Sequence, residues 1–363
     1  MNIGIVVTMI VGFWSGVGRA QAQTQAQVPC LFFFGDSWAD SGNNNQLWTY
    51  ARANYLPYGI DFPSGPTGRF SNGKTAPDVI AQLLGLNYIP PFANVGVRDI
   101  FNGVNYGSAA AGIREETGQH LGGRISFRRQ VQNHIRTVLQ ILNSLGGDGN
   151  RTATYLSRCI YSFGVGTDDY FNNYFLPQLY STSRQYTPQQ YADLLNQAYA
   201  QLLRVMYYYG ARKMVLYGIG PIGCTPYALA QNSPDGRTCV EGINSAVQLF
   251  NTRLRSLVDQ FNSQLPNARV IYVNVYGITQ NIITNPSSFG FRVTNAGCCR
   301  VERNNGLVTC LPLQPPCTNR NEFLYWDARN PTEAANKIFA NRAYNAQSSS
   351  DAYPFDISRL VQI

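Results

Sequence analysis

Short apolar runs that alternate with longer helical segments constrain the fold of this 363-residue chain more than any other feature of its sequence. Runs of strand length stand at residues 30–34, 104–106, 159–163, 213–217 and 270–274. Segments with helical periodicity stand at residues 75–84, 127–145, 188–209, 240–262 and 331–344. Alternation of this kind is typical of βαβ units. The sequence therefore predicts a three-layer α/β/α fold around a mostly parallel, five-stranded sheet.

The first strand-like run ends at a candidate nucleophile. Residues 32–45 read FFFGDSWADSGNNN, so Ser37 stands at the carboxyl end of an apolar run. Ligands of parallel sheets bind beyond the carboxyl ends of the strands. A serine there becomes a nucleophile only if a neighbouring base takes its proton. The chain contains two histidines, His120 and His134, that have the usual chemistry of such a base.

The amino-terminal residues are typical of a secretory leader. Residues 3–17 form an apolar stretch, and Ala20-Gln21-Ala22 is a small-x-small cleavage pattern, although no Lys or Arg precedes the apolar stretch. The stretch is shorter than the ~20 residues of a membrane-spanning helix, and no later segment is apolar enough to span. We therefore expect a signal peptide at residues 1–22, a single domain at residues 23–363, and a secreted, extracellular protein.

Eight cysteines follow the predicted leader, and an even number in a secreted chain favours disulfides. The expected local pairs are Cys224 with Cys239, and Cys298 and Cys299 with Cys310 and Cys317. Zinc binding is the alternative, but the chain has no C-x-x-C, and no metal site is predicted. A glycosylation sequon stands at Asn150, within a Gly/Asp-rich stretch at residues 146–150 where we expect a loop.

The net charge of +8 is compatible with acidic partners. A basic secreted protein can adhere to acidic polysaccharide or to anionic lipid, and it can equally have a solvated basic surface without a specific partner. Zinc-finger spacing and basic helices are absent from the sequence, so we expect no nucleic-acid binding.

Five motifs in a fixed order resemble a known family. They are FGDS at residues 34–37, DSGNNN at 40–45, GRFSNG at 68–73, NYGSAAAGI at 105–113 and WDA at 326–328. The chain resembles the plant GDSL esterase/lipase family, a branch of the SGNH hydrolases. That resemblance implies a flavodoxin-like α/β/α hydrolase of the cell wall or apoplast. It also implies that the ligand is an acyl ester or lipid-like molecule, and that neither cofactor nor metal takes part.

The resemblance assigns an oxyanion hole to three blocks. In the first block Ser37 is the nucleophile, and its backbone N–H is one donor. In the second block the donor glycine maps to Gly112, with Gly107 as the less favoured choice. The third block of the family reads G-x-N-D, whereas this chain reads Gly166-Thr167-Asp168-Asp169. Asp168 therefore stands where the family has a donor asparagine.

The last block of the family, D-x-x-H, carries the base and the acid that orients it. Here the block reads Asp327-Ala328-Arg329-Asn330, so Asp327 matches the orienting acid and Asn330 replaces the histidine. Arg329 cannot act as a base, because a guanidinium does not deprotonate in proteins. We expect Arg329 to pair with Asp327 or Asp168 instead.

These two replacements lead to two hypotheses. An amide cannot take the proton of Ser37, and loss of the base in a serine protease costs about 10⁶ in turnover. The first hypothesis is a degenerate site with weak or no esterase activity and a role in binding a ligand or partner. The alternative is an active serine carboxylesterase or lipase with a non-standard base. His120 and His134 are interpreted as a surface and a structural histidine, respectively.

Overall fold

A five-stranded sheet lies at the centre of the computed structural model, which describes residues 25–299 and 309–363. The predicted signal peptide at residues 1–22 lies outside the described residues. The strands of this part of the chain are β1 (Leu31–Gly35), β2 (Ile160–Gly164), β3 (Lys213–Tyr217), β4 (Arg269–Val273), β5 (Val293–Gly297), β6 (Phe323–Tyr325) and β7 (Ala352–Tyr353). The order in the sheet is β1-β2-β3-β4-β7, with β1 to β4 parallel and β7 antiparallel to β4. Strands β5 and β6 form a separate parallel pair.

Helices cover both faces of the sheet. They are α1 (Ala76–Leu83), α2 (Phe127–Ser144), α3 (Gly149–Ser157), α4 (Thr167–Asp169), α5 (Thr182–Gln185), α6 (Pro188–Tyr208), α7 (Pro226–Asn232), α8 (Glu241–Gln264), α9 (Val275–Thr284), α10 (Glu333–Tyr344) and α11 (Ile357–Leu360). A wider π-helical turn, Tyr170–Tyr174, directly follows α4. The predicted helices agree with α1, α2, α6, α8 and α10 to within two residues at either end.

The side chains of β1 show how the three layers form. Phe32 and Phe34 pack in the apolar cluster that α2, α6 and α8 complete on one face. Leu31 and Phe33 pack in the cluster that α1, α9 and α10 complete on the other face. All four side chains are fully buried. A continuous apolar strand of this kind is what a sheet covered on both faces requires, and the predicted fold class is confirmed.

The strand predicted at residues 104–106 is not part of the five-stranded sheet. Residues 104–106 run parallel to β1, and the N–H of Tyr106 donates to Phe33 O at 2.8 Å. Only a single bridge, between Phe33 and Asn105, forms on that side. Asn105 is also bridged to Pro91 on its other side, so the segment lies between β1 and an irregular loop. The short antiparallel strand β7 is the fifth strand of the sheet instead.

The loop expected at residues 146–150 is only partly present. Gly146 and Gly147 have positive φ angles of 77° and 78° and form a turn. Asn150, however, lies in the first turn of α3, because the Asp148 side chain caps this helix by accepting the N–H of Arg151 at 2.9 Å. Asn150 is exposed at this helix end.

All eight cysteines form disulfides. The pairs Cys224–Cys239, Cys298–Cys317 and Cys299–Cys310 confirm the predicted local pairing. The fourth pair, Cys30–Cys159, joins the residues that directly precede β1 and β2. No helix within the described residues is both long and apolar enough to cross a bilayer.

Candidate active site

A cavity of about 130 Å³ lies at the carboxyl ends of β1, β2 and β3. The loop after β1 contributes Ser37 and Trp38, and the loop after β2 contributes Asp168. A segment distant in sequence, residues 324–331, closes the cavity from the side. The cavity therefore lies at the sheet edge where the sequence predicted chemistry. Most of its wall is apolar: Trp38, Val165, Phe171, Tyr217, Ile219, Ile222, Leu324 and Phe339.

The position of Ser37 depends on a fixed strand end. The Gln130 side chain accepts the N–H of Gly35 at 3.0 Å and donates to its carbonyl at 2.8 Å. Gly35 has no room for a side chain, because a Cβ there would lie 2.7 Å from Cβ of Ala39. The carbonyl of Asp36 then accepts the N–H of Ala39 and closes a tight turn. Ser37 is thus presented, half-buried, at the edge of the cavity.

The side chains of Ser37, Asn330 and Asp327 form one chain of hydrogen bonds. The Ser37 hydroxyl donates to Oδ1 of Asn330 at 2.8 Å. Nδ2 of Asn330 donates to both carboxylate oxygens of Asp327, at 3.1 and 2.9 Å. An ionised carboxylate only accepts, so the amide nitrogen must face Asp327 and the amide oxygen must face Ser37. The structure thus brings together the three residues that the sequence singled out.

Asp327 is fully buried and accepts from donors on two sides. The backbone N–H groups of Arg329 and Asn330 reach Oδ1 at 2.8 and 2.6 Å. The Tyr58 hydroxyl donates to Oδ2 at 2.7 Å and itself accepts the N–H of Cys310 at 3.2 Å. Burial raises the pKa of Asp327, and these hydrogen bonds oppose the rise. Sequence reasoning missed Tyr58, because no local pattern connects it to a residue 269 positions away.

Asp168 lies in the same cavity with one oxygen unsatisfied. Its Oδ1 accepts from Nδ2 of Asn172 at 2.5 Å, whereas its Oδ2 is buried and has no hydrogen-bond partner among the described residues. Burial raises the pKa of Asp168 to about 6, although the positive charge of Arg329 lowers it. Asp36 is nearby: burial and repulsion from Asp168 raise its pKa well above the usual range.

Gly112 does not line the cavity and packs against Thr117 and Asp169. A Cβ on Gly112 would lie 2.4 Å from Thr117 and 2.6 Å from the Asp169 carboxylate, which explains the glycine. The Asp169 carboxylate accepts the N–H of Ile113 at 2.7 Å and so ties this segment to the loop after β2. Burial raises the pKa of Asp169 to about 7. The role of the Gly112 N–H as an oxyanion donor remains a prediction.

A second backbone donor of this segment was missed. Ala110 has a φ of 65°, in the left-handed region, and its N–H lies near the Asp168 carboxyl, where it slightly opposes the rise in pKa that burial causes. A non-glycine residue in this region is uncommon. The sequence AAA at residues 109–111 carries no signal that would have singled out this position.

Arg329 does not form the expected ion pair. Its guanidinium packs against the rings of Phe171 and Tyr227, at 4.4 and 4.0 Å from their centroids. Nη1 donates to Oδ1 of Asn172 at 3.0 Å, and Nδ2 of the same amide reaches Asp168. Within the described residues, Arg329 has no salt bridge with Asp327 or Asp168. A neutral amide thus stands between the cation and the Asp168 carboxyl.

Neither histidine lines the cavity. His134 is fully buried among Phe32, Phe34 and Tyr161, and burial lowers its pKa to about 3. His120 is exposed, and its Nδ1 lies 2.9 Å from the Tyr180 hydroxyl. Across residues 25–299 and 309–363, no group of three or more His, Cys, Asp or Glu side chains is arranged to hold a metal ion.

Comparison with known proteins decides the family. Residues 31–343 match the family model described as GDSL-like Lipase/Acylhydrolase. The chain belongs to this family. Three GDSL esterase/lipase proteins of Arabidopsis thaliana are similar to it over nearly their whole length. The first is 62% identical over 359 residues, which cover 99% of this chain and 98% of the relative. The second is 59% identical over 364 residues, covering 100% and 98%, and the third is 59% identical over 337 residues, covering 93% of each.

Tyr58→Phe tests the buried hydrogen bond from the Tyr58 hydroxyl to Asp327 in this GDSL-type site. The variant removes a hydroxyl that donates to a buried carboxylate, and we expect the free energy of unfolding to fall by about 1–3 kcal/mol. Tyr55→Phe is the matched control, because its hydroxyl donates to Cys310 O from a half-buried position where water can replace it. Urea unfolding at pH 7 measures both. Equal losses in the two variants would contradict the role given to Tyr58.

Asp168→Asn tests the raised pKa of that carboxyl. In the wild type, the folded state holds a proton on Asp168 up to about pH 6, whereas the unfolded chain releases it near pH 4. The stability contributed by Asp168 is therefore present at low pH and lost as the pH rises from about 4 to about 6. The variant lacks this loss, so its free energy of unfolding relative to wild type should rise by about 2–3 kcal/mol between pH 4 and pH 7. Parallel stability curves from urea unfolding would refute the assignment.

Proposed function

We propose that this protein binds an acyl ester or lipid-like ligand in the cavity at Ser37 and hydrolyses esters weakly or not at all. The site is then a degenerate form of the ester-hydrolase site of its family. The observation that carries the proposal is the amide of Asn330, which lies between Ser37 and Asp327. This is the place where the family resemblance puts an imidazole.

The amide reproduces the hydrogen bonds of a neutral imidazole without its basicity. It accepts from the Ser37 hydroxyl on one side and donates to Asp327 on the other. An amide oxygen does not take up a proton at neutral pH, so Ser37 stays a neutral hydroxyl during attack. The loss of a base in a serine protease lowers turnover by about 10⁶. Ordinary ester hydrolysis is therefore strongly disfavoured here.

Asp168 adds a second defect near neutral pH. Above its pKa of about 6 the carboxyl is ionised, and it opposes the negative charge that develops on an ester oxygen during attack. The resemblance places an asparagine donor here, and loss of one oxyanion donor costs roughly 2.7–4 kcal/mol in other hydrolases. Because residues of one site act as a unit, the two defects do not simply add.

The shape of the cavity supports a binding role. Apolar side chains such as Trp38, Tyr217 and Phe339 form its wall, and the polar groups of Ser37 and Arg329 lie on the same surface. Sites for small molecules typically combine an apolar wall with a few fixed polar groups. The apolar side chains of the wall could contact an acyl chain, and the polar groups at Ser37 could bind the polar head group.

An active carboxylesterase or lipase with a non-standard base is the competing hypothesis. Asp168 is the group that favours it, since its carboxyl lines the cavity and its pKa of about 6 is near the pH at which a general base works well. The two hypotheses differ in one measurable quantity, the turnover that depends on the Ser37 hydroxyl.

Hydrolysis of p-nitrophenyl butyrate by a matched set of variants separates these hypotheses. We expect wild type to stay within about tenfold of Ser37→Ala, because no base activates the hydroxyl. Asn330→His should raise turnover about 100-fold or more, and Asn330→His with Asp168→Asn should raise it further. Adding Ser37→Ala to the double variant should return turnover to background. Brisk wild-type turnover that disappears in Ser37→Ala would instead establish the active enzyme.

We also infer that the mature protein comprises residues 23–363 as one domain and is secreted to the cell wall or apoplast. The four disulfides support an oxidising compartment. Asn150 is exposed on α3 and carries the sequon, so it is the expected glycan site. Loss of Arg19 with the leader leaves a net charge of +7, which suits adhesion to acidic polysaccharide.

Expression in a secreting plant cell tests this processing. The secreted protein should begin at Gln23 by amino-terminal sequencing and should carry a glycan that Asn150→Gln removes. Asn143→Gln, an exposed asparagine outside any sequon, is the control and should leave the glycan mass unchanged. Retention of residues 1–22 in the purified protein would contradict the predicted cleavage.

A further inference from the structure

We propose that the cavity is selective for a free carboxylic acid with an apolar chain, whose carboxylate binds the guanidinium of Arg329. This inference rests on the proposed binding function of the cavity and names the chemical class of its ligand.

Arg329 is held in place but its charge is not neutralised. The guanidinium lies against the rings of Phe171 and Tyr227, which are perpendicular to each other and restrict its movement. Within residues 25–299 and 309–363, Nη1 donates to Oδ1 of Asn172 and is the one guanidinium nitrogen with a side-chain partner, whereas the buried Nε has no hydrogen-bond partner. A guanidinium has five N–H donors, and buried donors are seldom left unsatisfied in native proteins. A ligand that accepts hydrogen bonds and carries negative charge would meet this need.

A carboxylate matches the geometry better than an ester does. The planar guanidinium can donate two parallel hydrogen bonds to a carboxylate, and such charge-assisted pairs are roughly twice as strong as neutral hydrogen bonds. An ester carbonyl offers one neutral acceptor and leaves the positive charge without a counter-ion in an apolar cavity. Arg329 lines the cavity together with Ser37 and Asn330, and its backbone N–H donates to Asp327 at 2.8 Å.

The carboxyl groups of the site set the pH at which this ligand binds. Asp36 and Asp168 line the cavity with Arg329, and in the part of the chain that the structure describes each has one buried oxygen without a partner. Asp169 and Asp327 lie behind them, and each accepts several hydrogen bonds from the protein. Partial burial lowers the pKa of His120, and the nearby positive charge of Arg329 lowers it further.

Protonation of Asp168 favours the carboxylate ligand in two ways. It removes the negative charge that competes for Arg329, and it turns the unpartnered Oδ2 side of the carboxyl into a hydrogen-bond donor. Burial raises the pKa of Asp168 to about 6, and burial together with repulsion from Asp168 raises the pKa of Asp36 well above its usual range. The acid ligand itself stays ionised down to about pH 5. Between these limits, the ligand is charged and the cavity does not repel it.

Calorimetric titration of the full mature chain with octanoate and methyl octanoate at pH 5.5 tests the inference. Wild type should bind octanoate about tenfold or more tightly than the ester, as expected for one charge-assisted contact. Arg329→Gln should lose at least that factor for octanoate and change the affinity for methyl octanoate by less than about twofold. Arg329→Lys should retain part of the preference, because it keeps the charge but not the paired donors. Arg128→Gln, which removes an exposed cation, should behave as wild type.

A second measurement covers the case in which the Arg329 variants fail to fold. Wild-type affinity for octanoate should fall severalfold from pH 5.5 to pH 8, as Asp168 ionises, and Asp168→Asn should abolish this fall. The affinity for methyl octanoate should not depend on pH over the same range. A pH-independent octanoate affinity in wild type would overturn the role of Asp168 and the proposed recognition.

The outcomes distinguish this inference from the proposed function. Equal affinity of wild type for the acid and the ester would overturn the inference and leave ligand binding in place. Binding of neither molecule would overturn both. Rapid hydrolysis of methyl octanoate by wild type would overturn the proposed loss of activity, while the octanoate titration would still decide the role of Arg329.

Discussion

The buried carboxylate of Asp327 determines the direction of the hydrogen bonds that run from Tyr58 and from Ser37 through Asn330. It can only accept, so each neighbouring group must turn an N–H or O–H toward it: Tyr58 from one side, and Asn330 from the other. That orientation leaves the amide oxygen of Asn330 as the group that faces Ser37. The same amide orientation that satisfies these hydrogen bonds also leaves Ser37 without a base. Tyr58 and Asn330 both donate to the Asp327 carboxylate. The group that accepts from Ser37 is an amide oxygen, which cannot take up the serine proton.

The amide of Asn172 donates to a second carboxylate, that of Asp168, as the amide of Asn330 donates to Asp327. Its Nδ2 faces Asp168 and its Oδ1 faces Arg329, so one neutral amide separates the cation from the anion. A direct salt bridge would neutralise both groups within the protein. Separation instead leaves the guanidinium and one carboxyl oxygen of Asp168 available at a single cavity. The local backbone supports this placement, because Asn172 departs from helical angles within the turn that follows α4.

Much of this molecule could be predicted from its sequence, because the relevant signals are local. The apolar runs located β1 to β4, and the spacing of the cysteines indicated the three local disulfides. The resemblance to the GDSL family singled out Ser37, Asp327 and Asn330, which the structure brings into contact. Contacts between distant segments could not be predicted in this way. The strand β7 has only two residues, and it depends on pairing with β4 rather than on its own composition.

The contacts of Arg329 and Tyr58 show why the rest could not be predicted. Arg329 was expected beside a carboxylate, since opposite charges attract, but two aromatic rings and an amide hold it instead. Tyr58 reaches Asp327 across most of the chain length. Both outcomes depend on how loops from different strands meet above the sheet, and no local sequence pattern records that meeting.

The disulfide Cys30–Cys159 has a mechanical consequence for the cavity. It joins the amino-terminal ends of β1 and β2, whereas Ser37 and Asp168 follow their opposite ends. A covalent tie at the far end, together with a continuous five-residue register, prevents the two strands from sliding past each other. The distance between the strand ends that Ser37 and Asp168 follow is therefore set by the rigid sheet. An incoming molecule can be accommodated only by rotation of side chains and bending of the loops above the strand ends.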